Sequence, residues 1–221
     1  MTAPERLKVY ASAEGAVEYF EEYEKFHRRL SDRRERRLLE RWFERIGGVA
    51  TALDLPCGWG RYLPYLQARG ARVVEADFSG SMVRMSRERH AATPTAGGLR
   101  CFGHRIPLRD GAVDLVFSMR LNHHLADPAV RREHLRELFR VSGRWVMFTY
   151  FDHASVKNLL RRARAGLGLT RKSPKNTLRR AEVRAIAQDC GFRVVEDPWL
   201  FLVGSGHRMV LAERSAHSAG R

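Results

Sequence analysis

Cysteine is scarce in this sequence, and no long hydrophobic run occurs in it. The three cysteines among 221 residues, Cys57, Cys101 and Cys190, form no Cys-x-x-Cys pair. This spacing excludes a disulfide framework and a cysteine-based zinc site, and it fits a reducing cytoplasm. The charged N-terminal segment lacks the apolar stretch of a signal peptide, and no run approaches the roughly 20 apolar residues that span a bilayer. We therefore expect a cytoplasmic protein without a metal site.

Acidic residues are also few relative to basic ones. Lys and Arg number 40 against 25 Asp and Glu, which gives a formal net charge of +15. A surface of this sign attracts polyanions such as RNA, anionic lipid headgroups and phosphorylated metabolites. An ordinary solvated basic surface is the alternative, because net charge reports on association and not on fold.

Apolar residues recur at three- and four-residue steps in the first 46 residues, which predicts two amphipathic helices. The two sets are Val17, Phe20, Tyr23, Phe26 and Leu30, then Leu38, Leu39, Trp42, Phe43 and Ile46. We expect an N-terminal helical cap over 1–46, a main domain over 47–214 and a flexible tail over 215–221.

The main domain alternates short apolar segments with helical ones. Predicted strands cover 49–55, 71–76, 99–102, 112–118, 144–151, 192–202 and 207–212, and predicted helices cover 61–68, 81–90, 128–140 and 180–189. Strands alternating with helices indicate a parallel sheet covered on both faces, and the break at 204–206 is typical of a hairpin. The predicted fold class is α/β: a Rossmann-like, doubly wound, mostly parallel seven-stranded sheet with an antiparallel C-terminal strand pair.

A tight glycine loop after the first strand is the clearest binding signal. Residues 53–61 read Leu-Asp-Leu-Pro-Cys-Gly-Trp-Gly-Arg. Glycines let a backbone approach a ligand closely, and nucleotide-like ligands bind at this edge of open α/β sheets. No Gly-Lys-Ser/Thr follows, so the loop is not a P-loop. Asp77 ends the second strand, where an acid can accept both ribose hydroxyls of an adenosine, and Phe78 could lie against its adenine.

These motifs together resemble class I S-adenosylmethionine-dependent methyltransferases of the broad small-molecule type. The glycine loop resembles the family's acid-x-Gly-x-Gly-x-Gly motif, with Pro56 in place of the first glycine. Residues 77–82 resemble the second-strand motif, 106–116 the "LPF…FDxV" segment, and 121–141 the stretch before the fifth strand. The resemblance covers 49–152 well and 181–213 in outline.

The resemblance implies S-adenosylmethionine as cofactor and S-adenosylhomocysteine as product. The implied cofactor-binding residues are Asp54, Pro56, Gly58, Gly60, Asp77, Phe78, Met82 and His104. The loop would meet the methionine end, Asp77 the ribose, and Phe78 and Met82 the adenine. Family members usually carry an acid near the adenine amino group, but residues 100–105 contain none. A backbone contact or His104 would take its place.

His123 and His124 follow the fourth strand, where the loop would face the methyl donor. A histidine there can act as general base for a hydroxyl or amine acceptor, and we name this pair as the candidate catalytic residues. The alternative is that the two side chains only cap the loop. Methyl transfer does not require a strong base, because in-line positioning supplies much of the rate.

Residues 153–180 contain nine Lys and Arg and no acid, which predicts a short basic helix and a loop. Similar enzymes insert acceptor-binding elements here. The stretch could hold an anionic or lipid-linked acceptor, contact a membrane peripherally or bind RNA, or it is a solvated face. Its leucines favour lipid, and its lack of interleaved aromatic residues disfavours nucleic acid.

The sequence therefore predicts a methyltransferase that acts at oxygen or nitrogen of a small or lipid-linked metabolite, in the cytoplasm or peripheral to the membrane. One alternative is an RNA methyltransferase that uses its basic surface. The other is a catalytically silent binding subunit with a methyltransferase fold. The sequence leaves the acceptor and the oligomeric state open.

Overall fold

The computed structural model describes residues 26–93, 95–169, 176–200 and 206–216, with side chains from Arg33 onward. The helices are α1 (Phe26–Ile46), α2 (Leu63–Gln67), α3 (Gly80–Arg89), α4 (Pro128–Val141), α5 (Val156–Gly166) and α6 (Arg180–Asp189), with a 3-10 helix over Asn122–His124. The strands are β1 (Thr51–Asp54), β2 (Arg72–Asp77), β3 (Gly97–Arg100), β4 (Val113–Ser118), β5 (Ser142–Phe151), β6 (Phe192–Glu196) and β7 (His207–Arg214).

The strands form one seven-stranded sheet in the order β3-β2-β1-β4-β5-β7-β6. The strands β1 to β5 run parallel to one another, and β7 runs antiparallel between β5 and β6. This arrangement confirms the predicted fold class, including the antiparallel C-terminal pair. Residues 204 and 205 of the predicted hairpin break lie outside the described residues.

One predicted strand is shorter in the structure. The strand expected over 192–202 ends at Glu196, because Pro198 has no N–H to donate to a ladder. Asp197 instead pairs with α6: Arg180 Nε and Nη2 donate to its carboxylate at 2.5 and 2.6 Å.

The second of the two predicted N-terminal helices begins earlier than expected. The helix α1 runs without interruption from Phe26 to Ile46, so Phe26 and Leu30 share a helix with the second apolar set. The intervening residues 31–37 contain no glycine or proline that would end a helix. Val17, Phe20 and Tyr23 lie outside the described residues.

Helices cover both faces of the sheet. On one face, Leu39, Trp42 and Phe43 of α1 pack with α2 against β1, β4 and β5. On the other face, α4 and α6 bury residues such as Leu138, Phe139 and Ile186 against the same strands. Within the described part of the chain, no helix has both the length and the apolar character needed to cross a bilayer.

Glu196 at the end of β6 holds the C-terminal half of α1 in place. Trp42 Nε1 donates to its carboxylate at 3.0 Å, and Arg41 and Arg45 pair with it at 2.5 and 3.1 Å. The helix predicted as a cap therefore contributes directly to the core, and the division into cap and main domain stays a prediction.

Candidate functional site

The glycine loop follows β1 at the carboxyl edge of the sheet. Gly58 and Gly60 have left-handed φ values of 53° and 81°, which favour glycine. Cys57 N donates to Ala76 O of β2 at 2.8 Å, and Gly60 N donates to Cys57 O at 3.0 Å. The loop is thus bound to β2 and closes tightly before α2, as the sequence predicts.

Gly60 packs directly on α3. A Cβ placed on it would overlap Ser86 Oγ and would lie 2.8 Å from His90 Cδ2. No side chain fits there unless the Ser86 and His90 side chains move, so the loop and helix are closely matched.

We expect Gly60→Ala to lower the free energy of unfolding by roughly 3 kcal/mol, from backbone strain and overpacking together. Gly70→Ala is the matched control, because Gly70 has φ 84° and a Cβ placed on it would meet nothing within 4 Å. It carries only the strain, about 1 kcal/mol. Urea unfolding of both variants measures the difference, and equal losses would show that the contact with α3 contributes nothing.

Asp77, at the end of β2, organises the junction between the loop and α3. Its carboxylate accepts hydrogen bonds from Gly58 N at 3.1 Å and from Ser79 N at 2.9 Å. Burial raises the pKa of Asp77 to about 6, and these backbone donors oppose the shift. Ser79 caps α3 by accepting from Met82 N at 3.2 Å, which leaves the Asp77 side chain at the sheet edge.

Asp54 and Glu75 lie side by side on β1 and β2, and both are fully buried. Neither carboxylate oxygen of Asp54 has a hydrogen-bond partner among the described residues. Burial raises the pKa of Asp54 well above its ordinary value, and the charges of Glu75 and Asp77 add to this. A cationic ligand group placed against these three buried acids would favour their ionised form and lower their pKa values.

Glu75 is a member of this group that sequence reasoning missed. The Ser86 hydroxyl of α3 donates to its carboxylate, and burial raises its pKa. The available signal was an acid within the apolar run of β2, since an unpaired acid is rare at a buried position.

An aromatic row lies next to Asp77. The ring centroids of Phe78 and Phe102 are 4.9 Å apart, and those of Phe102 and His104 are 5.3 Å apart. Phe102 is 40% exposed, so part of its ring is accessible to a flat ligand. Met82, predicted beside the adenine, is buried within α3.

His134 of α4 contacts the loop that carries two rings of this aromatic row. Its Nδ1 lies 2.7 Å from Gly103 O, between Phe102 and His104. Burial lowers the pKa of His134 to about 4, so the ring is neutral and Nδ1 carries the donated hydrogen. This contact positions the loop around Gly103. Similar enzymes carry an acid in this region.

The candidate catalytic histidines lie in the 3-10 helix that follows β4. The His123 ring centroid is 4.2 Å from that of His124 and 4.3 Å from that of Phe151 at the end of β5. His207, at the start of β7, completes the cluster with its centroid 5.1 Å from that of His123. No local pattern singles out His207, because only the antiparallel insertion of β7 brings its first residue to this edge.

Glu35 of α1 connects the two sides of the site. Its side chain is fully buried, and its carboxylate is paired with Arg61 at 3.3 Å and Arg120 at 2.7 Å. The Tyr62 hydroxyl also donates to it. Arg61 and Tyr62 follow the glycine loop and Arg120 follows β4, so α1 is tied to both loops. Sequence reasoning missed this role, because an acid in a helix rich in Glu and Arg carries no distinguishing signal.

The structure therefore brings the predicted residues together at one edge of the sheet. Asp54, Gly58, Gly60 and Asp77 form one side of this edge, and the histidine cluster forms the other. Their roles in binding and catalysis stay predictions.

Sequence comparisons match parts of this chain to a protein family and to a curated protein. Residues 53–144 match a family model described as a methyltransferase domain. A 100-residue stretch of this chain is 36% identical to an uncharacterized 37.1 kDa protein in transposon TN4556 of Streptomyces fradiae. The alignment covers 44% of this chain and 29% of that protein. The match thus spans less than a third of that curated relative.

Solved structures share the whole fold at low sequence identity. Magnesium protoporphyrin IX methyltransferase of Synechocystis PCC 6803 with bound SAH has a TM-score of 0.75 at 18% identity, over 95% of this chain and 98% of that chain. A protein of Pyrococcus horikoshii OT3 has a TM-score of 0.64 at 18% identity, over 88% and 94%. Residues 53–144 are thus similar to a methyltransferase domain, and the chain shares the fold of these solved structures.

Proposed function

We propose that this chain binds S-adenosylmethionine at the edge formed by β1 and β2 and transfers its methyl group to oxygen or nitrogen of a small or lipid-linked acceptor. The observation that carries the proposal is the buried carboxylate of Asp54, which has no partner among the described residues and lies beneath a glycine loop that is hydrogen-bonded to Asp77. A cationic partner would stabilise the ionised form of such a buried acid, and the cofactor has an ammonium group and a sulfonium.

The described residues fit each part of that cofactor. Asp54 suits the ammonium group, and Gly58 and Gly60 leave room for the methionine end to approach the backbone. Asp77 suits the ribose hydroxyls, with the aromatic row of Phe78, Phe102 and His104 beside it for the adenine. The bound cofactor supplies an electrophilic methyl carbon.

The acceptor would lie on the other side of the edge, against the cluster of His123, Phe151 and His207. An imidazole can take a proton from an acceptor hydroxyl or amine at neutral pH. His124 stacks on His123 and is the second candidate for that proton. The Phe151 ring offers an apolar wall that would orient the acceptor for in-line attack.

Calorimetric titration with S-adenosylmethionine and S-adenosylhomocysteine tests the cofactor site. We expect micromolar dissociation constants for both compounds. Folded protein that binds neither compound would refute the proposal and favour a silent binding subunit.

The acceptor class is tested separately with methyl-labelled cofactor and a panel of phenols, carboxylic acids, amines, lipid extract and tRNA. We expect label in a small-molecule or lipid product. Label confined to tRNA would refute the acceptor class but leave the cofactor site intact.

The buried carboxylates predict an unusual pH dependence of stability. The pKa of Asp77 is raised from 3.8 to about 6 in the folded state, so its contribution is fully present below the unfolded pKa and is lost as pH rises through 6. Between pH 7.5 and 5.5, protonation of Asp77 by itself should add a gain of about 1 kcal/mol, or roughly 2–4 °C in Tm, while the lowered pKa of the buried His134 opposes it in the whole protein. Asp54 acts in the same direction.

Asp77→Asn should remove much of this gain, because the amide does not titrate in this range. Glu88→Gln, at an exposed position on α3, is the control and should keep the gain. Thermal unfolding across the pH series measures the effect. Equal changes of Tm with pH in wild type and Asp77→Asn would contradict the prediction.

A further inference from the structure

The helix α5 presents its apolar side to solvent. Its large apolar residues are all exposed: Val156 47%, Leu159 49% and Leu160 59%, followed by Leu167 72% and Leu169 66% just beyond the helix. At about 100° per residue, the first four of these fall within an arc of roughly 100° on the helix surface. A helix of a globular protein normally turns such an arc toward the core.

Polar contacts hold the opposite side of α5 against the protein. Asn158 is buried, and its Nδ2 donates to Asp152 O at 2.7 Å. One turn later, Arg162 Nη1 donates to His153 O at 2.8 Å. Asp152 is itself buried and paired with Arg208 of β7. The orientation of the helix is therefore set by specific hydrogen bonds, and the outward leucines are a consequence of it.

Positive charge accompanies the exposed arc. Lys157 and Arg164 are exposed. Around the helix axis both are rotated by about 80–100° from Val156, so they lie on the same side, next to the leucines. No Asp or Glu occurs anywhere in residues 153–180. Apolar side chains flanked by cations, without any acid, complement a surface that is apolar inside and anionic outside.

We propose that α5 and the residues up to Leu169 form a docking surface for an anionic lipid bilayer. The leucines enter the boundary between headgroups and acyl chains, and Lys157 and Arg164 pair with anionic headgroups. The bilayer fits better than an acidic protein or RNA, because neither of those partners requires several outward leucines beside the cations.

The position of α5 connects this surface to the candidate active site. The helix begins five residues after Phe151, whose ring lies 4.3 Å from that of His123. Docking through α5 would bring the acceptor side of the sheet edge close to the lipid surface. The proposal goes beyond the proposed function, since vesicle binding requires neither cofactor nor acceptor.

The test is co-sedimentation of the full chain with phosphatidylcholine vesicles, with and without phosphatidylglycerol. We expect binding only to the anionic vesicles, and weaker binding at high salt. Leu160→Ser/Leu167→Ser should weaken binding roughly 100-fold, because two apolar side chains would no longer be buried in the bilayer. Lys157→Glu/Arg164→Glu should weaken it by at least about 25-fold. These positions are exposed, so the variants should keep the wild-type Tm.

Arg33→Glu/Arg37→Glu is the matched control, because it makes the same change of net charge at exposed positions on α1. It should bind vesicles more tightly than the α5 charge variant. Wild type that does not sediment with anionic vesicles would overturn the proposal. So would equal weakening by both charge variants, or leucine variants that bind like wild type. Self-association that the leucine variants abolish, without vesicle binding, would assign the surface to a second copy of the chain.

Discussion

Asp77→Ala is expected to weaken S-adenosylmethionine binding by at least about 100-fold, because two hydrogen bonds to a charged acceptor are lost. The carboxylate would accept the ribose hydroxyls, and it already accepts from Gly58 N and Ser79 N. One substitution would thus remove the proposed ligand contact and loosen the glycine loop that is proposed to meet the methionine end. Calorimetric titration at pH 7.5 measures the loss.

Stability measurements separate this effect from misfolding. The unliganded variant no longer buries a carboxylate whose pKa is raised, so its Tm should fall little at neutral pH. Asp77→Asn keeps the shape and one acceptor oxygen and should lose less affinity than Asp77→Ala. Wild-type affinity in Asp77→Ala would remove Asp77 from the cofactor site.

The second large effect is expected at Glu35. Glu35→Ala should lower the free energy of unfolding by roughly 3 kcal/mol, because it removes the shared partner of two largely buried arginines. Arg61 and Arg120 have side-chain exposures of only 9% and 18%. Cofactor affinity should fall as well, since Arg61 directly follows the glycine loop. Urea unfolding and calorimetric titration measure the two effects.

Glu44→Ala is the control on the same helix, because Glu44 is exposed to solvent. It should change stability by less than about 0.5 kcal/mol. Limited proteolysis adds a local readout: in Glu35→Ala, α1 should become cleavable well before the sheet. If Glu35→Ala and Glu44→Ala behave alike, the buried cluster does not attach α1 to the two loops.

The local elements were largely predictable from sequence. The helix over Arg180–Asp189 was predicted with its observed bounds, and Gly80–Arg89 within one residue at each end. These segments have clear apolar periodicity and defined ends, which depend only on neighbouring residues. The exceptions are α1, which begins earlier than predicted, and β6, which ends early because Pro198 lacks an N–H and Asp197 pairs with Arg180.

The grouping of the acids with the glycine loop was predictable for the same reason. In a parallel sheet, the carboxyl ends of adjacent strands meet at one edge, so Asp54 and Asp77 had to lie near the glycine loop once the strands were assigned. Glu75 could have been included by the same reasoning, since it shares a face with Val73 on β2.

The sequence by itself determined the elements, the sheet edge and the position of its glycine loop and acids, because each depends on short-range periodicity or on strand direction. Only the tertiary structure decided that His207 joins His123, that Glu35 ties α1 to both loops, and that α5 turns its leucines outward. Each of these depends on contacts between residues distant along the chain. Local patterns do not specify such contacts, because an acid, a histidine or an amphipathic helix has the same local pattern in either setting.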